Sequence, residues 1–65
     1  MDPNANLARQ REIAAEIMRL WDAATPDGEV DSDALAHLAY ELAEHVQALD
    51  SWIIKGGYLP GYWRS

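Results

Sequence analysis

The chain has 65 residues, enough for one small domain and too few for a large buried core. It contains no cysteine, which excludes disulfides and thiolate metal sites, and about half of its residues are hydrophobic, which excludes a disordered tail. Its net charge of −6 argues against DNA or RNA binding, because nucleic-acid phosphates repel an acidic surface.

No stretch approaches the roughly 18–20 continuous apolar residues that a membrane-spanning helix needs. Residues 1–4 have neither the basic segment nor the apolar segment of a secretory signal peptide. We therefore expect a soluble, cytoplasmic protein with no membrane partner.

The first predicted element is a helix over residues 5–24, after a frayed lead at residues 1–5. Asn4 or Asn6 is expected to cap this helix. Neither Gly nor Pro interrupts it, and its apolar residues recur at helical spacing, which places them on one broad arc. The residues of this arc that we assign to a hairpin or oligomer core are Ile13, Ile17, Leu20 and Trp21.

Residues 25–31 contain Pro and Gly and predict a turn. A second helix is predicted over residues 32–55, with Asp31 or Ser32 as its N-cap and Gly56-Gly57 as its C-terminal stop. Its apolar residues follow steps of three and four, the spacing of a helical bundle. These core residues are Leu35, Leu38, Leu42, Val46, Leu49 and Ile53.

The tail at residues 56–65 is too short for another long helix but is rich in large apolar side chains. We expect it to fold back over the open end of the hairpin or to dock on another chain. Trp and Tyr are favoured at the energetic centres of protein interfaces. The predicted partner-binding residues are Tyr40, Trp52, Tyr58, Leu59, Tyr62 and Trp63.

Two helices joined by a short turn predict an all-α fold, an antiparallel helical hairpin that forms a single domain over residues 1–65. The helices carry more apolar surface than one helix–helix contact can cover. A second copy could cover the excess and give a four-helix bundle as a homodimer or higher oligomer. A different protein partner and a monomer capped by its tail are the two alternatives.

A row of possible metal ligands runs along the second helix at intervals of four residues: Asp33, His37, Glu41 and His45. Because a row with this spacing drifts around the helix, its members are not expected to converge on one ion. A metal site at His37, Glu41 and His45 is therefore only a minor hypothesis. No nucleophile, cofactor loop or convergent acid/base pair is visible, so we expect no catalytic residues, no cofactor and no enzyme activity.

The segment from Leu49 to Trp63 has the pattern LDxW…GGxLPxxW. This ending resembles the tails of short acidic helical proteins of unknown function from actinobacteria and their bacteriophages. The resemblance covers the last third of the chain and implies an origin more than an activity. It implies work in the bacterial cytoplasm and suggests a phage-encoded binder or modulator of a host protein.

We therefore expect a non-enzymatic protein-interaction module. One alternative is an acidic mimic of nucleic acid, which would array its carboxylates on one continuous face. Another is a structural oligomer or metal-binding helical bundle.

Overall fold

The computed structural model describes residues 1–23 and 28–63, apart from the side chain of Tyr62. Helix α1 spans Pro3–Asp22, helix α2 spans Ser32–Ile54, and a short 3₁₀ turn follows at Gly61–Trp63. The described residues form no strand, so the predicted all-α fold is confirmed. The predicted end of the first helix at residue 24, residues 25–27 of the turn at 25–31 and the last two residues of the tail lie outside the described residues.

Helix α1 begins at Pro3, two residues earlier than predicted. The Asp2 carboxylate caps it by accepting hydrogen bonds from the backbone N–H groups of Asn4 (3.0 Å) and Ala5 (3.2 Å). The expectation that a frayed lead runs to residue 5, with Asn4 or Asn6 as the cap, is therefore wrong. Asp2 is the better cap because the Pro that follows it has a φ suited to the first helical position, where its missing N–H costs nothing.

The start of helix α2 is set by one of the two candidate caps. The Asp31 carboxylate accepts a hydrogen bond from the Ala34 backbone N–H at 3.0 Å. Asp31 is therefore the N-cap, and Ser32 is the first helical residue.

The end of helix α2 has the predicted glycine stop. Gly56 has a φ of 90°, a left-handed conformation that residues with a Cβ rarely adopt. Its N–H donates to the Ile53 carbonyl at 3.0 Å, and the N–H of Gly57 donates to the Trp52 carbonyl at 2.8 Å. This pair of bonds satisfies carbonyl groups that the end of the helix would otherwise leave without donors.

The two helices pack side by side in opposite directions. Asn6 of α1 contacts His45 of α2, and Arg9, farther along α1, contacts Glu41, which lies earlier on α2. Residue numbers therefore rise on one helix as they fall on the other, which confirms the antiparallel hairpin. Pairing into a four-helix bundle stays a prediction. Within the described residues, neither helix is both long and apolar enough to cross a membrane.

The hairpin is a single layer of helices. Its principal-axis extents are 46 × 23 × 13 Å, so its thickness is close to the diameter of one helix. The Cα radius of gyration is 14.4 Å. A compact chain of this length would have a radius of gyration of about 11 Å. Two helices in one layer leave both of their broad faces without a further layer.

Few side chains are fully buried in this layer. Among the described residues, the buried large hydrophobic side chains are Leu7, Ile13 and Leu49. Most of the predicted core is only half-buried: Ile17, Leu20, Leu35, Leu38, Leu42 and Ile53. As members of a hairpin core, Trp21 and Val46 were wrongly predicted, because they are 57% and 47% exposed. Their assignment to an oligomer core stays a prediction.

Candidate protein-interaction surfaces

One broad side of the hairpin, which we call the charged face, collects most of the ionic contacts. Helical spacing brings its residues to the same side of the two helices. They are Arg9, Glu12, Glu16 and Arg19 of α1 and His37, Glu41, Glu44 and His45 of α2. Arg19 pairs with Glu16 along α1, while Arg9 joins Glu12 on its own helix to Glu41 on the other.

The Arg9–Glu41 ion pair links the two helices on the charged face. The guanidinium binds both carboxylate oxygens, with Nη2 at 2.8 Å from Oε1 and Nε bonded to Oε2. These hydrogen bonds hold the pKa of Glu41 below its ordinary value of 4.5 and raise the pKa of Arg9. The Arg19 guanidinium lowers the pKa of Glu16 in the same way, but within one helix.

A buried amide forms a second link beside this ion pair. Asn6 donates from Nδ2 to the His45 backbone carbonyl at 3.0 Å and accepts from Gln10 Nε2 at 2.7 Å. From the sequence we expected Asn6 to cap the helix, and we did not predict this role. Asn6 lies seven residues, or about two helical turns, before the buried Ile13, and this spacing was the available signal that it points inward.

The possible metal ligands on α2 do not form a cluster. The Glu41 carboxylate is bound by Arg9, and His37 is exposed to solvent. His45 Nδ1 lies 2.8 Å from the Glu41 backbone carbonyl, to which it donates because a carbonyl oxygen can only accept. Among the described residues, no group of three or more His, Asp and Glu side chains is arranged to hold a metal ion.

The opposite broad side of the hairpin, which we call the apolar face, has a different composition. Helical spacing places there Ile17, Met18 and Trp21 of α1 with Ala39, Leu42, Ala43 and Val46 of α2. The large side chains with the greatest exposure on this face are Met18, Trp21 and Val46. Met18 and Trp21 lie toward the turn and Val46 lies toward the tail, because Asn6 is beside His45 and Arg9 is beside Glu41. Exposed apolar side chains grouped on one side of a protein often mark a place where another molecule binds.

A groove of about 270 Å³ lies at the tail end of the apolar face. Gln10 lines it from α1, Trp63 lines it from the tail, and α2 contributes Val46, Leu49, Asp50 and Ile53. Trp63 is still about half exposed, so it borders the groove without filling it. The groove extends the apolar face and adds one carboxylate, that of Asp50, at its edge.

The tail packs back across the open end of the hairpin, as predicted. The Gly61 N–H donates to the Asn4 side-chain oxygen at the start of α1, and Pro60 is fully buried. Asn4 therefore holds the tail instead of capping its helix. By this route the chain passes from the end of α2 to the groove on the apolar face.

Trp52 fixes the first part of the tail. Its indole N–H donates to the Tyr58 carbonyl at 2.9 Å, and the two rings meet edge to face with centroids 5.5 Å apart. Gly57 passes directly beneath the indole, where a Cβ would overlap Trp52 side-chain atoms. Tyr58 is thus held in place while 53% exposed, and its neighbour Leu59 is 43% exposed. We call Trp52, Tyr58 and Leu59 the tail patch.

The predicted partner-binding residues do not form one continuous surface. Trp52, Tyr58 and Leu59 lie together in the tail patch, whereas Trp63 lies beside the groove. Tyr40 is strongly exposed but lies twelve residues before Trp52 on α2, which corresponds to about 18 Å along the helix axis. The side chain of Tyr62 lies outside the described part of the chain.

Arginine side chains neutralise part of the acidic surface. Glu12, Glu16 and Glu41 each contact an arginine guanidinium. These paired carboxylates present less negative potential to a partner than free ones would.

Comparisons of the chain with protein-family models, with curated proteins and with solved structures found no match.

Proposed function

We propose that the protein is a non-enzymatic interaction module that binds another protein through its tail patch in the bacterial cytoplasm. The observation that carries this proposal is that Tyr58 and Leu59 are about half exposed although Trp52 holds Tyr58 in place. Aromatic side chains that are rigid before binding lose little conformational entropy on association. Such residues are typical of the energetic centres of protein interfaces.

The tail patch belongs to the part of the sequence that resembles the endings of actinobacterial and phage proteins. That resemblance supports a bacterial protein as the partner, with a phage-encoded modulator of a host protein as the specific form of the proposal. The excess of acidic residues favours a partner with a basic rim around an apolar pocket.

Nucleic-acid mimicry is the weaker alternative. It requires a continuous array of free carboxylates, whereas the charged face mixes its acids with Arg9 and Arg19. A metal-binding bundle is also weaker, because Arg9 already occupies the Glu41 carboxylate.

The proposal can be tested by affinity capture from an actinobacterial lysate, with the wild-type chain compared with the double variant Tyr58→Ala/Leu59→Ala. We expect a specific protein to bind the wild type and to be lost with the double variant. Tyr40→Ala is the matched control, since it removes an exposed tyrosine from a different part of α2. Circular dichroism of all three proteins verifies that they are equally helical.

Equal capture by the double variant and the wild type would overturn the role of the tail patch. Loss of capture with Tyr40→Ala alone would move the binding surface to the middle of α2. If binding instead disappears for every variant at modest salt, with a basic DNA-binding protein as the partner, nucleic-acid mimicry is the better account.

A further inference from the structure

We infer that the apolar face binds the apolar face of a second copy of this chain, so that two hairpins form a four-helix bundle. This inference goes beyond the proposed function, because it concerns a different surface from the tail patch. It assigns a specific occupant to the side of the hairpin that carries Ile17, Met18, Trp21 and Val46.

The first reason is that the single layer needs a cover. With Leu7, Ile13 and Leu49 as the buried large hydrophobic residues among those described, the hairpin buries little apolar surface with which to offset the entropy lost on ordering. Its accessible surface is 4759 Å². A compact monomer of this mass would expose about 4200 Å². This excess of accessible surface is expected of a chain that covers one of its faces by association.

The second reason is that the face has the area that a dimer needs. A pair of helices about 30 Å long and about 20 Å wide together offers about 600 Å² on each copy. Two copies would bury about 1200 Å², which is at the lower end of the range for stable specific interfaces. Ala39 and Ala43 lie on this face, and their small side chains allow a facing helix to approach closely.

The third reason is that a second copy suits the chemistry of the face. The charged residues Arg9, Glu12, Glu16, Arg19, Glu41 and Glu44 lie on the other side, so two apolar faces can meet with these charges pointing outward. The charged residues of the apolar side itself are Asp50, at the edge of the groove, and Arg11, which helical spacing places on the same stripe of α1 as Met18. A symmetric contact sets apolar side chains against the same apolar side chains, which needs no complementary charge. A cover that the fold itself requires must be present whenever the chain folds. A second copy meets that condition, whereas a foreign protein need not.

Solution mass measured by light scattering tests the inference on the full chain. We expect twice the chain mass of 7.3 kDa. We also expect the melting temperature to rise when protein concentration is increased about a hundredfold, because folding and association are then one equilibrium.

Val46→Glu places a carboxylate on the tail half of the apolar face and is expected to weaken dimerisation at least about a hundredfold. Val46→Ala adds no charge and serves as a milder variant in case the first fails to fold, with an expected weakening of about tenfold. Tyr40→Glu is the matched control, since it puts the same charge on an exposed side chain of α2 away from this face. It should leave the mass unchanged.

A wild-type chain that is monomeric, with a melting temperature independent of concentration, overturns the inference. A dimer that survives Val46→Glu but dissociates with Leu59→Glu also overturns it, because the contact would then be made by the tail patch. A foreign protein that binds wild type and loses affinity with Val46→Ala, while the chain alone stays monomeric, would make that protein the occupant instead.

Discussion

The charged face and the apolar face are built from the same two helices, yet their side chains are in very different situations. On the charged face, Arg9, Glu41 and Asn6 join α1 to α2 through hydrogen bonds within the chain. On the apolar face, Met18, Trp21 and Val46 extend into solvent, and the groove beside Trp63 is unfilled. One side of the hairpin is held together by contacts within the chain, whereas the other exposes large apolar side chains that the hairpin leaves uncovered.

This difference shows how a very small chain can divide its tasks. Polar bonds have directions, so the charged face specifies how the helices align. Apolar burial has no direction and scales with area, so the apolar face can supply stability once it is covered. The tail runs across the open end of the hairpin and leaves Tyr58 and Leu59 about half exposed.

The largest effect is expected at the contact between the two helices, which both faces share. Ile13 is 1% exposed, and Ile13→Ala should destabilise the fold by about 2–5 kcal/mol, since it removes buried methyl groups and leaves a cavity. Chemical denaturation followed by circular dichroism measures this. Gln47→Ala, on an exposed position of α2, should change stability by less than about 0.5 kcal/mol. Equal effects at both positions would contradict the assigned packing.

The next largest effect concerns Gly57, at the point where the tail passes Trp52. A Cβ at Gly57 would overlap Trp52, so Gly57→Ala should displace the indole and cost about 1–3 kcal/mol. Tryptophan fluorescence and near-ultraviolet circular dichroism should report the loss of the Trp52–Tyr58 contact. Lys55→Ala is the control, because it changes the same loop without touching the indole. An unchanged Trp52 environment in Gly57→Ala would show that the tail takes another path.

The third effect concerns the buried amide of Asn6, which links the two helices beside the Arg9–Glu41 ion pair. Asn6→Ala removes the donor to the His45 carbonyl and leaves Gln10 without its acceptor, at a cost of about 1–2 kcal/mol. Asn6→Asp should be more harmful at neutral pH than in acid, because its carboxylate would face a carbonyl oxygen. Urea denaturation of Asn6→Ala and Asn6→Asp, each at neutral and at acid pH, measures both effects. Identical behaviour of Asn6→Asp at neutral and acid pH would show that position 6 does not face His45.

The smallest effect is the pH dependence of the Arg9–Glu41 ion pair. Since the folded pKa of Glu41 is below its ordinary value of 4.5, the pair stabilises the fold above that pH. The stabilisation is lost as the pH falls from 4.5 through the lower folded pKa. Glu41→Gln should therefore be less stable than wild type at neutral pH, and the two should converge in acid.

Glu16→Gln is the matched comparison for Glu41→Gln. The pKa of the Glu16 carboxyl is lowered too, but Arg19, its partner, lies on the same helix. Loss of the Glu16 carboxylate should therefore affect the alignment of the two helices less. The free energy of unfolding of Glu41→Gln and of Glu16→Gln, measured as a function of pH, tests this difference. A larger acid dependence at Glu16 than at Glu41 would mean that the link between helices is not what stabilises the charged face.

Local signals in the sequence were sufficient for the helices themselves. The spacing of apolar residues, the Asp31 cap and the Gly56 stop each act within a few residues, so they could be interpreted without knowledge of the fold. At the start of α1 the same reasoning chose Asn4 or Asn6 over Asp2. Several residues there can cap a helix, and tertiary contacts already engage the other two.

The candidate surfaces were predictable only in part. Residue composition led us to predict that Trp52, Tyr58 and Leu59 serve binding, and the structure shows that Tyr58 and Leu59 are about half exposed. Composition did not separate them from Trp63 and Tyr40, which lie on other parts of the molecule. That separation depends on how the tail wraps around the helix ends, and the anchoring bond joins Gly61 to Asn4 across almost the whole chain.

The sequence by itself determined two helices, their approximate bounds and their amphipathic character, since these follow from local propensity and periodicity. The tertiary structure decided how far each helix rotates about its own axis. That rotation depends on contacts between distant residues, such as Arg9 with Glu41, which compete with simple apolar packing. It turned Asn6 inward and left Trp21 and Val46 exposed on the apolar face.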